Sequence, residues 1–230
     1  MMIDRNFVLI VAAGKGSRMQ SDLPKQYLLL NGKPVLMHTI EKFYTSNTKP
    51  HIIIAIDPTM EDFWKSLCQE YKFTIPHDIT YGGFSRFQTV KNGIAFIKKK
   101  KPNLNGIAIA VHDAARPLIT IDIIDLAFEQ VKVSKAVIVA RSCTDSVRIT
   151  TADTNYAIDR NHIWLVQTPQ IFEGNLLETA YEQEEEATFT DDASVVERLG
   201  SSIEIVTGDY KNIKITYPED LEIARFYSKI

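Results

Sequence analysis

The first loop of the chain joins small residues to two cations that could grip a phosphate chain. Residues 12–19 read AAGKGSRM, and residues 23–27 follow with LPKQY. Glycine lets the backbone approach a bulky anion and expose its N–H groups, while Arg18 and Lys25 add two full positive charges. The loop is neither a P-loop nor a complete dinucleotide fingerprint, because it lacks the spacing of the first and the third glycine of the second. The pattern favours triphosphate binding, with a tight βα turn and solvated cations as the alternative.

A second group of chemistry-bearing residues follows the apolar run at 107–111. Residues 112–117 read HDAARP, which places Asp113 directly after a predicted strand. Its carboxylate could hold a divalent cation through oxygen ligands. Arg116 stands three residues later, so a structural pair between Asp113 and Arg116 across a turn is the alternative. The sequence leaves both interpretations open.

A third loop carries two consecutive glycines. Residues 82–89 read GGFSRFQT after a short predicted strand. The glycines could bring backbone close to a nucleobase, and Ser85 could cap the next helix. Arg86 and Thr89 would then lie in the first turns of that helix, near its positive end. A glycine turn before a capped helix explains the same residues without a ligand.

Composition and charge describe an ordinary globular protein. The 230 residues suffice for one large domain or two small ones, and 45% hydrophobic with 24% charged residues is typical. A net charge of −3 argues against a nucleic-acid-binding surface, since such proteins carry a basic face. The lysine run at 98–101 is the local exception, and a solvated helix C-terminus explains it because cations are favoured there.

Other classes of protein are disfavoured by the residue types and their spacing. Cys68 and Cys143 have neither metal-ligand spacing nor a disulfide framework around them, and the five histidines are scattered. The first residues do not have the pattern of a signal peptide, and no run approaches the ~20 apolar residues of a membrane span. We therefore expect a cytoplasmic protein without nucleic-acid or membrane partners.

Alternating strands and helices must position the three loops. Apolar runs predict strands at 7–12, 52–56, 79–81, 107–111, 136–140, 202–207 and 213–216. Helical periodicity predicts helices at 34–44, 60–70, 85–98, 121–133, 176–185, 192–199 and 218–228. This order predicts an α/β, doubly wound, mostly parallel twisted sheet, whose carboxyl ends bind ligands. Lys214 would lie on the last strand, from one face of which it could reach a phosphate.

One stretch breaks the alternation. Residues 146–149 and 156–158 read as two extended segments around a polar turn, which indicates a β-hairpin within residues 142–164. An isolated two-stranded ribbon is marginal in water. We therefore expect a protruding dimerisation arm that packs on a second subunit, with a hairpin folded back on its own domain as the alternative.

Together these motifs resemble those of the 2-C-methyl-D-erythritol 4-phosphate cytidylyltransferases, the nucleotidyltransferases of the non-mevalonate isoprenoid pathway. The resemblance covers nearly the whole chain and implies one nucleotidyltransferase domain, residues 1–230, with the 142–164 arm inserted in it. The motifs stand in the family's order, at residues 12–19, 24–27, 82–86, 112–117, 167–170, 190–194 and 212–221. The chain departs from the family at Phe84, where relatives often carry an acidic residue, and at Lys211, where a polar or acidic residue is expected.

The resemblance also implies roles for individual residues. The catalytic residues that contact the CTP phosphates would be Arg18, Lys25 and Lys214. The remaining CTP-binding residues would be Ala12, Ala13, Gly14, Gly16, Gly83 and Thr89, with cytosine read by backbone at Ala12, Ala13 and Gly83 and by the Thr89 hydroxyl. The sugar-phosphate site would contain Asp113, Arg116, Thr144, Arg160 and Thr190. Asp113 would also be the ligand of Mg²⁺ or another divalent cation, and Arg160 would come from the arm of the other subunit of a homodimer.

The implied reaction couples CTP and 2-C-methyl-D-erythritol 4-phosphate to 4-diphosphocytidyl-2-C-methyl-D-erythritol plus pyrophosphate, by in-line attack on the α-phosphate. The ribitol 5-phosphate cytidylyltransferases are the alternative, but Ala115 and the runs at 159–164 and 191–194 are closer to the methylerythritol type. An NAD-dependent oxidoreductase would need the missing third glycine. A non-catalytic nucleotide-binding module would not need Arg18, Lys25 and Asp113 together.

Overall fold

A seven-stranded sheet forms the centre of the fold in the computed structural model, which describes residues 6–19 and 21–229. The strands of this sheet and of two short pairs are β1 (Phe7–Ala12), β2 (Leu29–Leu30), β3 (Lys33–Pro34), β4 (His51–Ile56), β5 (Asp78–Tyr81), β6 (Ala108–Asp113), β7 (Ala136–Ser142), β8 (Val147–Thr150), β9 (Asn155–Ile158), β10 (Trp164–Glu173) and β11 (Glu204–Thr207). The sheet order is β11-β7-β10-β6-β1-β4-β5, while β2 pairs with β3 and β8 with β9.

The middle strands are apolar because both of their faces are covered. All residues of β6 are buried, and so are all residues of β1 except Val11. β1 pairs in parallel with β4 on one side and with β6 on the other, and β4 pairs in parallel with β5. Parallel strands with helical crossovers are typically buried on both faces, which accounts for their continuous hydrophobic runs. The predicted α/β fold with a mostly parallel sheet is confirmed.

Helices follow most of the strands and begin at recognisable caps. They are α1 (Val35–Thr45), α2 (Glu61–Glu70), α3 (Arg86–Lys100), α4 (Ile121–Ser134), α5 (Gly174–Ala180), α6 (Asp192–Glu197) and α7 (Pro218–Tyr227). Ser85 caps α3 as predicted, because its hydroxyl accepts from the backbone N–H of Gln88 at 2.9 Å. The helix expected at 176–185 is shorter, since α5 ends at Ala180. Within residues 6–19 and 21–229, no helix combines the length and apolar character needed to span a membrane.

The sequence patterns missed the longest strand, β10. It is antiparallel to both of its neighbours, β6 and β7, in an otherwise parallel sheet. Its interior contains Pro169, which follows a cis peptide bond and cannot donate to a ladder hydrogen bond. The register with β7 shifts between Val166 and Gln170, so the proline lies at an irregularity where no ladder bond is needed. The sequence pattern did not predict this strand because Pro169 and its polar neighbours interrupt the apolar run.

The strand predicted at 213–216 is wrong. These residues form an extended segment outside the sheet, anchored where Ile215 donates its backbone N–H to the carbonyl oxygen of Ala115 at 2.9 Å. The Ile215 side chain is fully buried in a small cluster with Ala115. The alternating hydrophobic pattern of residues 213–216 therefore arises because one face of this segment is buried against the loop that carries Ala115. Lys214 lies on this segment, not on a strand.

The predicted hairpin is present as the pair of β8 and β9, joined by a turn in which Thr151 and Thr154 exchange backbone and side-chain hydrogen bonds. Most of its side chains are exposed, including the large apolar ones of Ile149 and Tyr156. A third exposed apolar group, at 164–166, lies at the base of the hairpin. The hairpin hence leaves apolar area uncovered within one subunit.

Candidate active site

A cavity of about 970 Å³ lies at the carboxyl ends of β1, β4, β5 and β6. Ligands of doubly wound folds bind at this edge of the sheet. The structure brings ten of the predicted site residues to the cavity wall. They are Ala12, Ala13, Gly14, Gly16, Arg18, Lys25, Gly83, Thr89, Asp113 and Lys214.

Contacts with the next motif fix the shape of the first loop. Gly16 has a φ of 67°, and a Cβ there would lie 3.3 Å from the backbone nitrogen of Lys25. A Cβ on Gly14 would meet nothing within 4 Å, so the space beside Gly14 is left open for a ligand. The buried amide of Gln26 donates to the carbonyl oxygens of Ala12 at 2.6 Å and Gly14 at 3.1 Å. Gln26 was absent from the predicted site, although it belongs to the LPKQY motif.

Among the described residues, five cationic residues and two carboxylates line the cavity, and three of the cations, Arg18, Lys25 and Lys214, were predicted to bind phosphate. Burial and the neighbouring Lys214 ammonium lower the pKa of Lys25 to about 8. The guanidinium carbon of Arg18 lies 5.8 Å from the ring centroid of Tyr217, which can hold it by a cation–π contact. Arg18 and Lys214 remain partly in solvent. Such a concentration of positive charge without equal negative charge suits a polyanion.

Asp113 is the carboxylate at the centre of these cations. Its Oδ2 lies 2.9 Å from Lys214 Nζ and 3.3 Å from Arg116 Nε, and its Oδ1 lies 4.0 Å from Arg86 Nε. Burial alone would raise the pKa of Asp113, but these cations hold it well below its usual range. The structural pair with Arg116 is therefore present. It leaves a ligand role for the other carboxylate oxygen open.

Arg116 lies behind Asp113 and does not line the cavity. Its Nη1 donates to the carbonyl oxygen of Asn212 at 2.9 Å. The buried Asn212 amide in turn donates to Gln167 Oε1 at 3.1 Å and to the carbonyl oxygen of Thr168 at 3.0 Å. These bonds fix the segment that carries Lys214. Asn212 is thus a further residue that the sequence hypotheses omitted, although it belongs to the last motif.

The two-glycine loop approaches the first loop very closely. A Cβ on Gly82 would lie 2.2 Å from the Cβ of Ala13, so only glycine fits there. Gly83 donates its N–H to Thr89 Oγ1 at 3.0 Å, and Thr89 donates its hydroxyl to the carbonyl oxygen of Ser85 at 2.8 Å. The Thr89 hydroxyl is hence already occupied as a donor, while the carbonyl oxygen of Gly83 is not used in these bonds.

Besides Arg116, three further predicted sugar-phosphate residues do not line this cavity. Thr144, Arg160 and Thr190 have exposed side chains, and none of them lines it. Arg160 donates from Nη1 to the carbonyl oxygen of Thr144 at 2.7 Å, which joins the base of the hairpin to the turn after it. One described chain therefore brings together all nine residues predicted to bind CTP but, of the five predicted for the sugar phosphate, only Asp113.

A second network omitted from the predicted site lies beside Asp113. Arg86 lines the cavity and makes a bidentate pair with Asp192, with donor–acceptor distances of 2.8 and 2.6 Å. The Tyr181 hydroxyl donates to Asp192 at 2.6 Å. Both charged residues occur in motifs of the resemblance, but nothing in the spacing shows that they are partners.

The donor set can be compared with what a divalent cation needs. In the described part of the chain, no three His, Cys, Asp or Glu side chains are grouped so that they could hold a metal. Mg²⁺ in nucleotide enzymes is commonly bound by one or two carboxylates together with substrate phosphates. Asp113 fits this mode, because Lys214 and Arg116 both contact its Oδ2 and leave Oδ1 as a possible ligand. It does not fit an all-protein metal site.

An open α/β sheet whose strand ends carry two glycine-bearing loops, several cations and the carboxylate of Asp113 is the arrangement of a nucleotidyltransferase. A sequence model of the 2-C-methyl-D-erythritol 4-phosphate cytidylyltransferases matches residues 6–229. The chain belongs to this family and is a cytidylyltransferase.

Individual relatives agree with this assignment over nearly their full length. The cytidylyltransferase of that name from Bacteroides fragilis is 46% identical over 94% of this chain and 96% of its own, and that from Phocaeicola vulgatus is 45% identical over the same shares. The crystal structure of the enzyme from Francisella tularensis has a TM-score of 0.76 at 34% identity, covering 97% of this chain and 99% of that one. The family and its fold are therefore shown by sequence and by structure.

Proposed function

We propose that the protein couples CTP to 2-C-methyl-D-erythritol 4-phosphate, releasing pyrophosphate. A phosphate oxygen of the sugar phosphate attacks the α-phosphorus of CTP in line with the departing pyrophosphate. The observation that carries the proposal is the convergence of Arg18, Lys25 and Lys214 on one cavity beside two close-packed glycine loops. No side chain needs to act as nucleophile or base, because the attacking phosphate is ionised near neutral pH.

The barrier to this reaction is bringing two anions together while charge grows on the bridging oxygen. Positioned cations lower such a barrier because they stabilise the transition state more than the separated reactants. Arg18 and Lys25 lie on the first loop and its continuation, so they are assigned to the triphosphate. Lys214 is assigned to a phosphate oxygen as well, because its ammonium lines the cavity and has further protons to donate while it stays paired with Asp113.

The cytosine is assigned to the two glycine loops. The backbone of Ala12 and Ala13 approaches from one side and that of Gly83 from the other. Because the N–H of Gly83 is bonded to Thr89, its carbonyl oxygen is the group left to accept from the exocyclic amine of cytosine. Thr89 therefore supports the reading of the base through Gly83.

Asp113 is assigned to Mg²⁺ and to the hydroxyl groups of the sugar phosphate. Bound Mg²⁺ would supply charge neutralisation at the phosphate oxygens. Asp113 would contribute one carboxylate oxygen, while Lys214 and Arg116 keep the group ionised and oriented. Arg116 then acts on the substrate through Asp113, since it does not reach the cavity itself.

The sugar phosphate is assigned to Thr190 and to Thr144 and Arg160 of the arm, residues 142–164. We place Arg160 in the site of a second subunit of a homodimer, because its own subunit's cavity does not include it and the arm exposes apolar side chains. In this arrangement the arm is an insertion in a single nucleotidyltransferase domain. The free thiols of Cys68 and Cys143 suit the reducing cytoplasm, where we place the protein.

A product assay with the purified protein tests the proposal. Release of pyrophosphate from CTP should require 2-C-methyl-D-erythritol 4-phosphate, and ribitol 5-phosphate should not replace it. Arg18→Ala and Lys25→Ala should each lower kcat by roughly 10²–10³-fold, the usual loss for one transition-state donor. Exposed Lys132→Ala, far from the cavity, is the matched control. Wild-type turnover in either loop variant would exclude the assignment.

A further inference from the structure

The two carboxylate oxygens of Asp113 have different surroundings. Oδ2 contacts Lys214 at 2.9 Å and Arg116 at 3.3 Å, whereas the ion pair that Oδ1 forms among the described residues is the longer one with Arg86, whose Nε is 4.0 Å away. Across residues 6–19 and 21–229, no hydrogen bond to Oδ1 is formed. A hydrogen bond between a guanidinium and a carboxylate is about 2.7–2.9 Å long, so the 4.0 Å separation leaves Arg86 short of one with Asp113. The other contacts of Arg86 give the reason for this restraint.

Asp192 supplies the restraint. The Nη1 and Nη2 atoms of Arg86 donate to its Oδ1 and Oδ2 at 2.8 and 2.6 Å, and Tyr181 holds the same Oδ1 at 2.6 Å. The Asp192 side chain is fully buried and begins α6, where a negative charge is stabilised by the helix N-terminus. Phe87 stacks on Tyr181 with ring centroids 4.7 Å apart, which fixes the tyrosine in turn.

We propose that Asp192 is a positioning residue that holds the Arg86 guanidinium back from Asp113 and so keeps Oδ1 of Asp113 free for ligand. Asp192 itself does not line the cavity, so it acts through Arg86. The inference rests on the proposed assignment of Asp113 to Mg²⁺ and the sugar hydroxyls. Without Asp192, the nearest carboxylate for Arg86 is Asp113, and an Arg86–Asp113 pair would occupy the oxygen that the ligand needs.

A purely structural role for the same pair predicts something different. If Arg86 and Asp192 only join α3 to α6, then removing either charge lowers stability, and ligand binding falls in proportion to unfolding. Removing both charges would then restore part of the stability, because no buried charge is left unpaired, and ligand binding by the folded molecules would be unchanged in either variant. The restraint predicts instead that folded Asp192→Asn protein binds ligand more weakly, and that this loss of binding disappears when Arg86 loses its charge as well.

Four proteins separate these possibilities: wild type, Asp192→Asn, Arg86→Gln/Asp192→Asn and Tyr181→Phe. The measurements are Tm, Mn²⁺ affinity of the CTP complex by electron paramagnetic resonance, KM for the sugar phosphate against kcat, and a crystal structure of Asp192→Asn. We expect Asp192→Asn to weaken Mn²⁺ binding by about tenfold or more, as for other groups that orient metal ligands, and to raise KM for the sugar phosphate. The double variant should return to within about threefold of wild type in both, because a glutamine at position 86 is shorter than arginine and has no charge, so that it competes only weakly for Asp113.

The structure of the Asp192→Asn variant gives a readout that does not depend on metal or activity. Its Arg86–Asp113 separation should shorten from 4.0 Å to hydrogen-bond distance. An unchanged separation, or a double variant that stays as impaired as the single one at wild-type Tm, would overturn the inference. If Asp192→Asn does not fold, Tyr181→Phe and the double variant test the inference instead. The inference then requires weaker Mn²⁺ binding in Tyr181→Phe and unweakened binding in the double variant, and any other result overturns it.

Failure of the proposed function would look different. Asp113→Asn would then bind Mn²⁺ as the wild type does, while the crystallographic shift of Arg86 in Asp192→Asn would still occur. The restraint on Arg86 and the metal role of Asp113 are thereby tested separately.

Discussion

The side-chain amide of Gln26 donates to the backbone carbonyl oxygen of Ala12 at 2.6 Å, which ties the lysine-bearing turn to the end of β1. The same amide nitrogen bonds the carbonyl oxygen of Gly14 at 3.1 Å. Since Gln26 is buried, no water replaces these bonds, and the position of Lys25 relative to the glycine loop depends on them.

Gln26→Glu should therefore disrupt the loop without changing side-chain size. A carboxylate would face two carbonyl oxygens, so two acceptors lose their donor, at a typical cost of about 1–3 kcal/mol for each buried polar group left unpaired. We expect CTP affinity to fall at least tenfold by calorimetry, with Tm lowered as well. Gln69→Glu, an exposed change in α2, is the control and should alter neither. Wild-type CTP affinity in Gln26→Glu would show that the loop holds its shape by other contacts.

Titration of Lys25 should make the affinity for CTP fall at alkaline pH. Its pKa is lowered to about 8 by burial and by Lys214, so the side chain is cationic below pH 8 and becomes neutral above it. CTP affinity of the free enzyme should therefore decline as pH rises through about 8 to 9. CTP binding at pH 9 should also take up a proton, because the bound phosphates raise the pKa of Lys25 again.

The matched variant for this pH dependence is Lys25→Arg. A guanidinium stays charged throughout this pH range, so the decline in affinity should be absent even if the affinity itself is lower. Calorimetry at pH 7 and pH 9, in buffers of different ionisation enthalpy, measures both the affinity and the proton uptake. If the CTP affinity of Lys25→Arg falls with pH as that of the wild type does, the pH dependence comes from another group.

Asp113→Asn should reduce Mg²⁺ dependence and sugar-phosphate use together, because one carboxylate is assigned to both. Asn keeps the size of the side chain but removes the charge that balances Lys214 and Arg116. The measurement is a Mg²⁺ titration of turnover at several sugar-phosphate concentrations. Asp57→Asn is the control, since Asp57 also lines the cavity and Asn retains its capping bonds to Thr59. An unchanged Mg²⁺ titration in Asp113→Asn would leave that residue a structural partner of the cations.

CTP should be preferred to UTP. The carbonyl oxygen of Gly83, to which no described residue donates a hydrogen bond, can accept from the amine of cytosine but would face a carbonyl oxygen in uracil. A site built to hydrogen-bond a substrate group rejects the analogue that lacks it far more strongly than a hydrophobic pocket rejects a missing methylene. The ratio of kcat/KM for the two nucleotides measures the preference. Equal values would contradict the assignment of the base to this loop.

The arm should supply Arg160 to the neighbouring subunit. Arg160→Ala should remain dimeric and lose mainly affinity for the sugar phosphate, because a guanidinium grips phosphate bidentately. Deleting residues 146–158 should yield monomers that bind CTP but have lost turnover. The experiment is size-exclusion chromatography with light scattering, followed by kinetics.

Mixed dimers make the same prediction sharper. When inactive Arg18→Ala subunits are mixed with inactive Arg160→Ala subunits, each heterodimer should contain one intact site, because the two lesions fall in the same shared site. Activity should therefore return after subunit exchange. No recovery in proven heterodimers would place Arg160 in its own subunit's site, or outside any site.

Short-range patterns in the sequence determined much of this protein. The apolar runs at β1, β4 and β6 could be predicted because strands buried on both faces leave continuous hydrophobic segments. The glycine loops and the Ser85 cap could be predicted because each depends on neighbours within a few positions. The family followed from seven motifs in order, and it is confirmed for residues 6–229.

Tertiary structure alone decided which distant groups meet. The antiparallel β10 was missed because its interior proline is tolerated only where the register with β7 shifts, a property of the pair and not of the strand. Lys214 reaches Asp113 from an irregular segment, and Arg86 finds Asp192 at a separation of 106 residues. The sequence shows which charged residues the chain has. Only the packing of the helices and strands determines that Arg86 binds Asp192 and not Asp113. In this protein Arg86 makes its close, paired hydrogen bonds with Asp192 and stays 4.0 Å from Asp113.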